Sequence, residues 1–356
     1  MGNKKKQRVI CIDLRILLII YSDIYDLKRF LRLSKNMLYE NTAKQQVVYQ
    51  RTLKKAVNCD GVGLHSGASV QLSLIPAPSG SGIVFKRTDV ASAQSIIQAR
   101  WDHVVDTRMC TVIANEHGIR VGTIEHLMAA LAGCGVDNAI VEVSGPEVPV
   151  MDGSSGPFVS LIEFAGVIDQ DKPRRVIRVL KKIMVEDGGA QASLSPASSF
   201  LLDFQVHFEG TSVSQQSLYV GMKNGAFCKE LAQARTFGFL SEVKALHAAG
   251  LGKGGSLDNA VVVDGYKILN KDGLRFKDEF VRHKMLDAVG DLFLAGGVIM
   301  GKFSGNRSGH ALNNALLRAL FVDGDAWCYD ELRGDAVSAI IDGGIFSETS
   351  NAVSTA

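Results

Sequence analysis

One stretch of the sequence, residues 280–293, places three candidate metal ligands on a common helical face. His283, Asp287 and Asp291 are spaced four residues apart, and this spacing stacks their side chains along one stripe of an α-helix. Imidazole and carboxylate groups one turn apart can bind the same divalent metal, and a catalytic zinc usually has three protein ligands. The competing interpretation is an ordinary ion pair on an exposed helix face, because these groups are costly to bury.

Two other stretches carry residues of the same chemistry. Glu125 and His126 lie in the first turn of a helix predicted to run to Gly133, with Thr123 as its predicted N-cap. Such a pair can supply a base and a metal ligand, whereas the alternative role for Glu125 is to complement the helix dipole. His310 follows a glycine-containing loop and starts another predicted helix, where backbone N–H groups can receive anionic charge. Together these residues have the composition of a metal-assisted amide or ester hydrolase.

Length and composition restrict the class of protein. A chain of 356 residues, with 46% hydrophobic and 21% charged residues, suggests two soluble globular domains. Its formal net charge of +2 provides no general attraction to nucleic acid or to an anionic membrane. None of the six cysteines forms a CxxC pair, so we expect neither a disulfide framework nor a thiolate zinc site. This use of cysteine fits a reducing compartment, and we expect a cytoplasmic location.

The predicted elements form two α+β regions. Alternation of apolar and polar residues predicts strands at residues 70–75 and 200–208, and a polar, proline-containing segment at 170–175 marks the boundary between the regions. We therefore predict four parts: an extension at 1–48, a first domain at 49–172, a second domain at 173–340 and a tail at 341–356.

The N-terminal extension has a short apolar run that could be mistaken for a membrane segment. Charged residues interrupt it, and only residues 16–21 are unbroken, far fewer than the roughly 20 needed to span a bilayer. We expect no stable membrane insertion. We interpret this region as a weakly ordered extension, with Met37 as a later translation start; a surface-seeking amphipathic helix is the alternative.

Five motifs, in this order, make the chain resemble the zinc-dependent UDP-3-O-acyl-N-acetylglucosamine deacetylases. They occupy residues 123–131, 149–155, 234–239, 281–291 and 308–314. Matches at residues 51–54 and 61–65 extend the resemblance over roughly residues 49 to 335. The resemblance implies hydrolysis of the N-acetyl group of an acylated UDP-sugar, the committed step of lipid A biosynthesis in Gram-negative bacteria.

The resemblance also implies a role for each residue of the candidate site. His126, His283 and Asp287 would bind Zn²⁺, with Fe²⁺ as the alternative metal in the cell. Glu125 would be the general base that takes a proton from the attacking water. His310, in its protonated form, would stabilise the developing charge and protonate the leaving amine.

Further residues are implied to assist the reaction or to bind the substrate. Asp291 would orient His310, and Thr236 would donate a hydrogen bond to the oxyanion. The substrate would contact Lys284 through its charged sugar-nucleotide part, Phe208 through its uracil, and Leu64, Phe237 and Phe239 along its sugar and acyl chain. Some relatives have a lysine in the loop that here reads Gly189-Ala190, so that nucleotide contact is in question.

The fold implied by the resemblance is two similar domains, each a sheet with a helical layer, packed as a β-α-α-β sandwich with the active site between the domains. Residues 241–275 would be the insert that forms an acyl passage, and the protein would be a monomer without a nucleic-acid partner. Two other classes are alternatives: a non-catalytic binding module, which is expected to have lost Glu125, His310 or a ligand, and a 3-hydroxyacyl dehydratase, for which no motif is evident.

Overall fold

A computed structural model describes residues 47–208, 210–211, 215–223 and 225–332. The predicted tail at 341–356 and all but the end of the predicted extension at 1–48, including Met37, lie outside the described residues. No helix in the described ranges is long and apolar enough to cross a membrane.

The described chain has an α+β fold, as predicted. Its first ten strands are β1 (Tyr49–Leu53), β2 (Val57–Val62), β3 (Ser69–Pro76), β4 (Ile83–Arg87), β5 (Ile96–Gln98), β6 (Val104–Asp106), β7 (Val112–Ala114), β8 (Arg120–Val121), β9 (Ala139–Val143) and β10 (Val167–Pro173). The later strands are β11 (Arg175–Val179), β12 (Ile183–Asp187), β13 (Ala190–Ser195), β14 (Phe200–His207), β15 (Gln215–Gly221), β16 (Phe237–Phe239), β17 (Val261–Asp264), β18 (Lys267–Ile268), β19 (Val298–Asn306) and β20 (Trp327–Glu331). The α-helices are α1 (Glu125–Gly133), α2 (Gly156–Ala165), α3 (Leu240–Ala248), α4 (Glu279–Phe293) and α5 (His310–Val322).

Two large sheets form the outer layers. The first has the strand order β2-β3-β9-β4-β5, with the β4–β9 pair parallel and the other pairs antiparallel. The second has the order β12-β13-β19-β11-β20, and β14 joins it through β19 and also pairs with β15. Val70, Leu72 and Leu74 of β3 are fully buried between more exposed neighbours, which confirms the alternation predicted for that strand.

Helices fill the space between the sheets. α2 packs on β2 and on α1, while α4 packs on β14 and β15 and α5 packs on β12 and β13. α1 and α4 pack directly against each other, so the helical layers face one another in a β-α-α-β arrangement. Every residue of α4 except Arg282 and Lys284 is buried, as expected for a helix enclosed on all sides.

The predicted domain boundary near residue 173 falls between β10, which pairs with β1, and β11, which belongs to the second large sheet. The division into domains stays a prediction.

The predicted N-cap of α1 is wrong, because Ile124 precedes the helix and no side chain caps it. Thr123 instead has a φ of 55° and its hydroxyl donates to Glu147 at 2.7 Å, so its backbone and side chain serve the preceding loop.

Candidate metal centre and active site

Two helices bring the three predicted metal ligands together. His126 is the second residue of α1, and His283 and Asp287 lie one turn apart on α4. Each is 3–4% exposed, and one ligand atom from each lies within 4.8 Å of the others. Asp287 Oδ1 is 3.3 Å from His283 Nε2 and 3.6 Å from His126 Nε2. The alternative of an exposed ion pair is therefore wrong, although the role of these residues as ligands stays a prediction.

The surroundings of these side chains fit a bound cation. Asp287 Oδ1 is buried and has no hydrogen-bond partner among the described residues, whereas its Oδ2 accepts from Lys284 Nζ at 3.0 Å. His283 Nδ1 lies 3.1 Å from the carbonyl oxygen of Ala234, and donation to that oxygen leaves the Nε2 lone pair facing Asp287. Two imidazole nitrogens and one carboxylate oxygen are a common catalytic zinc set.

The protonation states of these side chains also favour a bound cation. Burial lowers the pKa of His283 to about 4, so its imidazole is neutral at pH 7, as a ligand must be. Burial by itself would raise the pKa of Asp287, but its electrostatic interactions with the adjacent His283 and Lys284 hold that pKa well below its usual value. Burial likewise opposes the charge of Lys284, yet the adjacent Asp287 raises the lysine pKa above its usual value.

An acid and a base lie beside the ligand group. Glu125, the first residue of α1, is buried, and burial raises the pKa of its carboxyl group. His310, at the start of α5, places Nε2 at 3.9 Å from Glu125 Oε1 and Nδ1 at 2.8 Å from Asp291 Oδ2. Burial would lower the pKa of His310, but Asp291 outweighs it and raises that pKa to about 9. At neutral pH the pair therefore consists of a buried carboxyl group with a raised pKa and a protonated imidazole.

Backbone hydrogen bonds hold Thr236 on both of its sides. Its N–H donates to the carbonyl oxygen of Gly153 at 2.7 Å, and its own carbonyl accepts from the N–H of Val261 at 2.8 Å. A Cβ atom at Gly153, where φ is +84°, would lie 2.0 Å from the carbonyl oxygen of Asn259. Only glycine allows this close approach, which fixes the segment before β16.

A buried ion pair anchors Arg235, the residue before Thr236. Arg235 pairs with Glu279 of α4 through its Nε at 2.9 Å and its Nη2 at 3.1 Å, and its backbone N–H donates to the same carboxylate at 3.0 Å. Glu279 is fully buried. This contact ties the segment that contains Thr236 to the helix that contains His283.

The predicted substrate residues divide into an aromatic group and two separate side chains, those of Leu64 and Lys284. Phe208, Phe237 and Phe239 form one cluster, with ring centroids 5.4–6.2 Å apart. Phe237 also lies 6.2 Å from the ring of His283, which connects the cluster to the ligand group. Leu64 accepts from the N–H of Gly254 through its carbonyl oxygen, at 3.0 Å.

An open cavity of about 760 Å³ lies beside the site. One side of the cavity is formed by residues 242–251, which include most of α3, and the other side by residues between 65 and 147. The lining side chains include Met109, Cys110, Val112, Ala245, Leu246 and Leu251. His65 also lines the cavity. The cavity is large and apolar enough for part of a lipid-like ligand.

The sequence interpretation missed three residues around Asp291. Thr111 and Asn313 both donate to its carboxylate, and Ser308 donates to Asn313. Asn313 follows His310 by three residues on a helix and so shares its face, a signal that the sequence contains. No pattern in the sequence connects Thr111 to Asp291, because 180 residues separate them.

A buried group of two histidines and a carboxylate, next to a carboxylic base and a protonated histidine, is typical of metal-dependent hydrolases. Comparison with known proteins makes the class more specific. The family model for UDP-3-O-acyl N-acetylglycosamine deacetylase (LpxC) matches residues 50–322. The chain belongs to this family.

Individual relatives are similar over nearly their whole length. The chain is 48% identical over 304 residues to the UDP-3-O-acyl-N-acetylglucosamine deacetylase of Shewanella frigidimarina, which covers 84% of this chain and 99% of the relative. It is 46% identical, with the same coverage, to the deacetylase of that name from Shewanella oneidensis. It is 49% identical over 283 residues to that of Shewanella sp. W3-18-1, covering 79% of this chain and 92% of the relative.

Proposed function

We propose that this protein hydrolyses the N-acetyl group of UDP-3-O-(3-hydroxyacyl)-N-acetylglucosamine, releasing acetate and the free amine in the committed step of lipid A biosynthesis. One observation carries the proposal: His126, His283 and Asp287 converge in a buried group beside Glu125 and His310. The names of the similar deacetylases support the substrate, and we assign the activity to the cytoplasm and to a monomer.

We assign Zn²⁺ to His126, His283 and Asp287, with Fe²⁺ as the alternative in the cell. Such an ion supplies Lewis acidity, which polarises an amide carbonyl and makes water more acidic. The fit rests on the unpartnered buried Oδ1 of Asp287 and on the two histidine Nε2 atoms that face it.

Glu125 and His310 divide the proton transfers between them. Glu125 takes a proton from the water whose oxygen forms the new bond to the acetamide carbonyl carbon, and its raised pKa makes it a more effective acceptor than an exposed carboxylate. His310 then gives its Nε2 proton to the amine nitrogen as the carbon–nitrogen bond breaks. Asp291, hydrogen-bonded to Nδ1, orients the ring and stabilises its charged form. Thr236 donates to the oxyanion that forms between these events.

The substrate-binding residues are assigned along the cavity and the aromatic cluster. Lys284 would contact the charged sugar-nucleotide part and Phe208 the uracil, while Leu64, Phe237 and Phe239 would border the sugar and acyl chain. The cavity of about 760 Å³ beside α3 supports an acyl passage formed by the insert at 241–275. Gly188 and Gly189 make a tight hairpin turn with φ values of 54° and 80°, and neither residue offers a side chain for the nucleotide contact that a lysine makes in some relatives.

The test combines metal analysis with an acetate-release assay on UDP-3-O-(3-hydroxyacyl)-N-acetylglucosamine. We expect wild type to retain one equivalent of metal and Glu125→Gln to retain the metal while losing about 10²- to 10⁴-fold in kcat. The exposed Glu116 provides a matched control, Glu116→Ala, which should behave as wild type. A metal-loaded wild type that releases no acetate would refute the substrate, and a fully active Glu125→Gln would refute the assignment of the base.

A further inference from the structure

The carboxylate of Asp291 is enclosed by three donors from two separate parts of the chain, the start of α5 and the segment that contains Thr111. Its Oδ2 accepts from His310 Nδ1 at 2.8 Å and from Asn313 Nδ2 at 2.8 Å. Its Oδ1 accepts from Thr111 Oγ1 at 2.5 Å. Asp291, Thr111 and Asn313 are all at most 3% exposed, so these contacts are formed without competition from solvent.

Asn313 can present only one end of its amide to Asp291. Its Oδ1 accepts a hydrogen bond from the hydroxyl of Ser308 at 2.8 Å, which leaves Nδ2 to donate to the carboxylate. Ser308 is buried as well. The two residues therefore form a directed relay, with every donor pointing toward the negative charge of Asp291.

Thr111 contacts both the base Glu125 and Asp291, the residue that holds the acid His310. Its hydroxyl donates to Asp291 Oδ1, and its backbone N–H donates to Glu125 Oε2 at 3.0 Å. Glu125 belongs to α1 and Asp291 to α4, so one small residue sets the distance between groups on two different helices. The other Glu125 oxygen, Oε1, is the one that faces His310.

We propose that Thr111 and Asn313 are positioning residues that hold Asp291 from both sides and thereby fix His310 relative to Glu125. Neither is a catalytic residue, because each acts through the side chains it contacts. With Thr111 on Oδ1 and Asn313 on Oδ2, the Asp291 carboxylate cannot turn away from His310 without breaking a buried hydrogen bond. This inference rests on the proposed function, since it assigns the roles of acid and base to His310 and Glu125.

The first experiment measures kcat and KM of Thr111→Val and Thr111→Ser in the metal-loaded, full-length protein, with UDP-3-O-(3-hydroxyacyl)-N-acetylglucosamine as substrate. Thr111→Val removes the hydroxyl at nearly constant volume and keeps the backbone N–H to Glu125. We expect kcat to fall about 10- to 100-fold with KM changed less than about twofold, and Thr111→Ser to recover most of kcat. Thr52 is a matched control, because its buried hydroxyl donates to the carbonyl of Asn138. Thr52→Val should leave kcat unchanged.

The second experiment uses two adjacent asparagines of α5. Asn313→Leu removes the donor to Asp291, while Asn314→Leu removes a donor that instead contacts the carbonyl of Trp101 at 2.9 Å. We expect the same selective loss of kcat for Asn313→Leu and a wild-type kcat for Asn314→Leu. Ser308→Ala, which removes the hydroxyl that orients Asn313, should give an intermediate loss and covers the case in which Asn313→Leu does not fold.

The outcomes separate this inference from the proposed function. If wild type is active and Glu125→Gln is not, but Thr111→Val and Ser308→Ala keep wild-type kcat, only the inference is overturned. It is also overturned if Thr111→Ser fails to restore kcat, or if the losses appear in KM instead. An inactive, metal-loaded wild type would count against the proposed function itself.

Discussion

Gly290 lies where α4 crosses α1, and adding one methyl group there should disable the site. A Cβ atom at Gly290 would lie 2.0 Å from the carbonyl oxygen of Glu125, 2.8 Å from its carbonyl carbon and 3.1 Å from the N of Ala129. All three are backbone atoms and cannot rotate away. Non-bonded heavy atoms rest at about 3.5 Å, so Gly290→Ala requires the helices to separate by roughly 1.5 Å.

That separation acts directly on the residues of the candidate site. Glu125 and His126 would move with α1, whereas His283, Asp287 and Asp291 would remain with α4. A displacement of about 1 Å can cost about 100-fold in rate, and overpacking a core costs about 1–3 kcal/mol. We therefore expect Gly290→Ala to lose about 100-fold in kcat, to bind metal more weakly and to lose about 1–3 kcal/mol of unfolding free energy.

The assay compares acetate release, metal content and chemical denaturation for Gly290→Ala and a matched glycine variant. Gly324 has an ordinary negative φ and no atom within 4 Å of an added Cβ, so Gly324→Ala should match wild type in all three measurements. A Gly290→Ala protein with wild-type kcat and stability would refute the close contact of α1 and α4 on which the reasoning depends.

Three other predictions concern buried charges. Activity should rise as pH increases through the raised pKa of Glu125, because the base must be ionised, and fall as pH increases through about 9, because His310 must be protonated. Asp291→Asn removes the charge that raises the His310 pKa, so the alkaline limb of the pH–rate profile should move down by about one to three units; an unmoved limb contradicts the assignment. For stability, Glu279→Gln breaks the buried pair with Arg235 and should cost about 3–5 kcal/mol in chemical denaturation. Glu142→Gln, at a more exposed pair, should cost less than about 1 kcal/mol, and equal costs would count against the role of burial.

The sequence was informative wherever a short segment carries its own geometry. The four-residue spacing of His283 and Asp287 predicts that they share a helix face, and the structure places both on α4. The sequence also predicts helices that begin within one residue of the observed starts at Glu125 and His310, because helix boundaries depend mainly on local residues. Thr123 is the exception: its conformation follows from a hydrogen bond to Glu147, a residue outside the segment used for the prediction.

The resemblance supplied roles for residues that spacing alone could not connect. His126 and His283 are far apart in the chain, and only a recognised order of motifs brings them into one hypothesis. The family assignment confirms that recognition. The individual roles, the metal and the division into domains stay predictions.

The sequence by itself determined the α+β class, the helix faces and the chemistry available to the site. Tertiary structure alone decided that the polar stripe of α4 is buried, that Gly290 admits the backbone of α1, and that Thr111 joins Asp291 to Glu125. The physical reason is that helix and strand patterns arise from neighbours in the chain, whereas burial and close contact arise from surfaces that meet only after folding. No local sequence pattern indicates that a residue such as Gly290 or Thr111 will lie at such a contact.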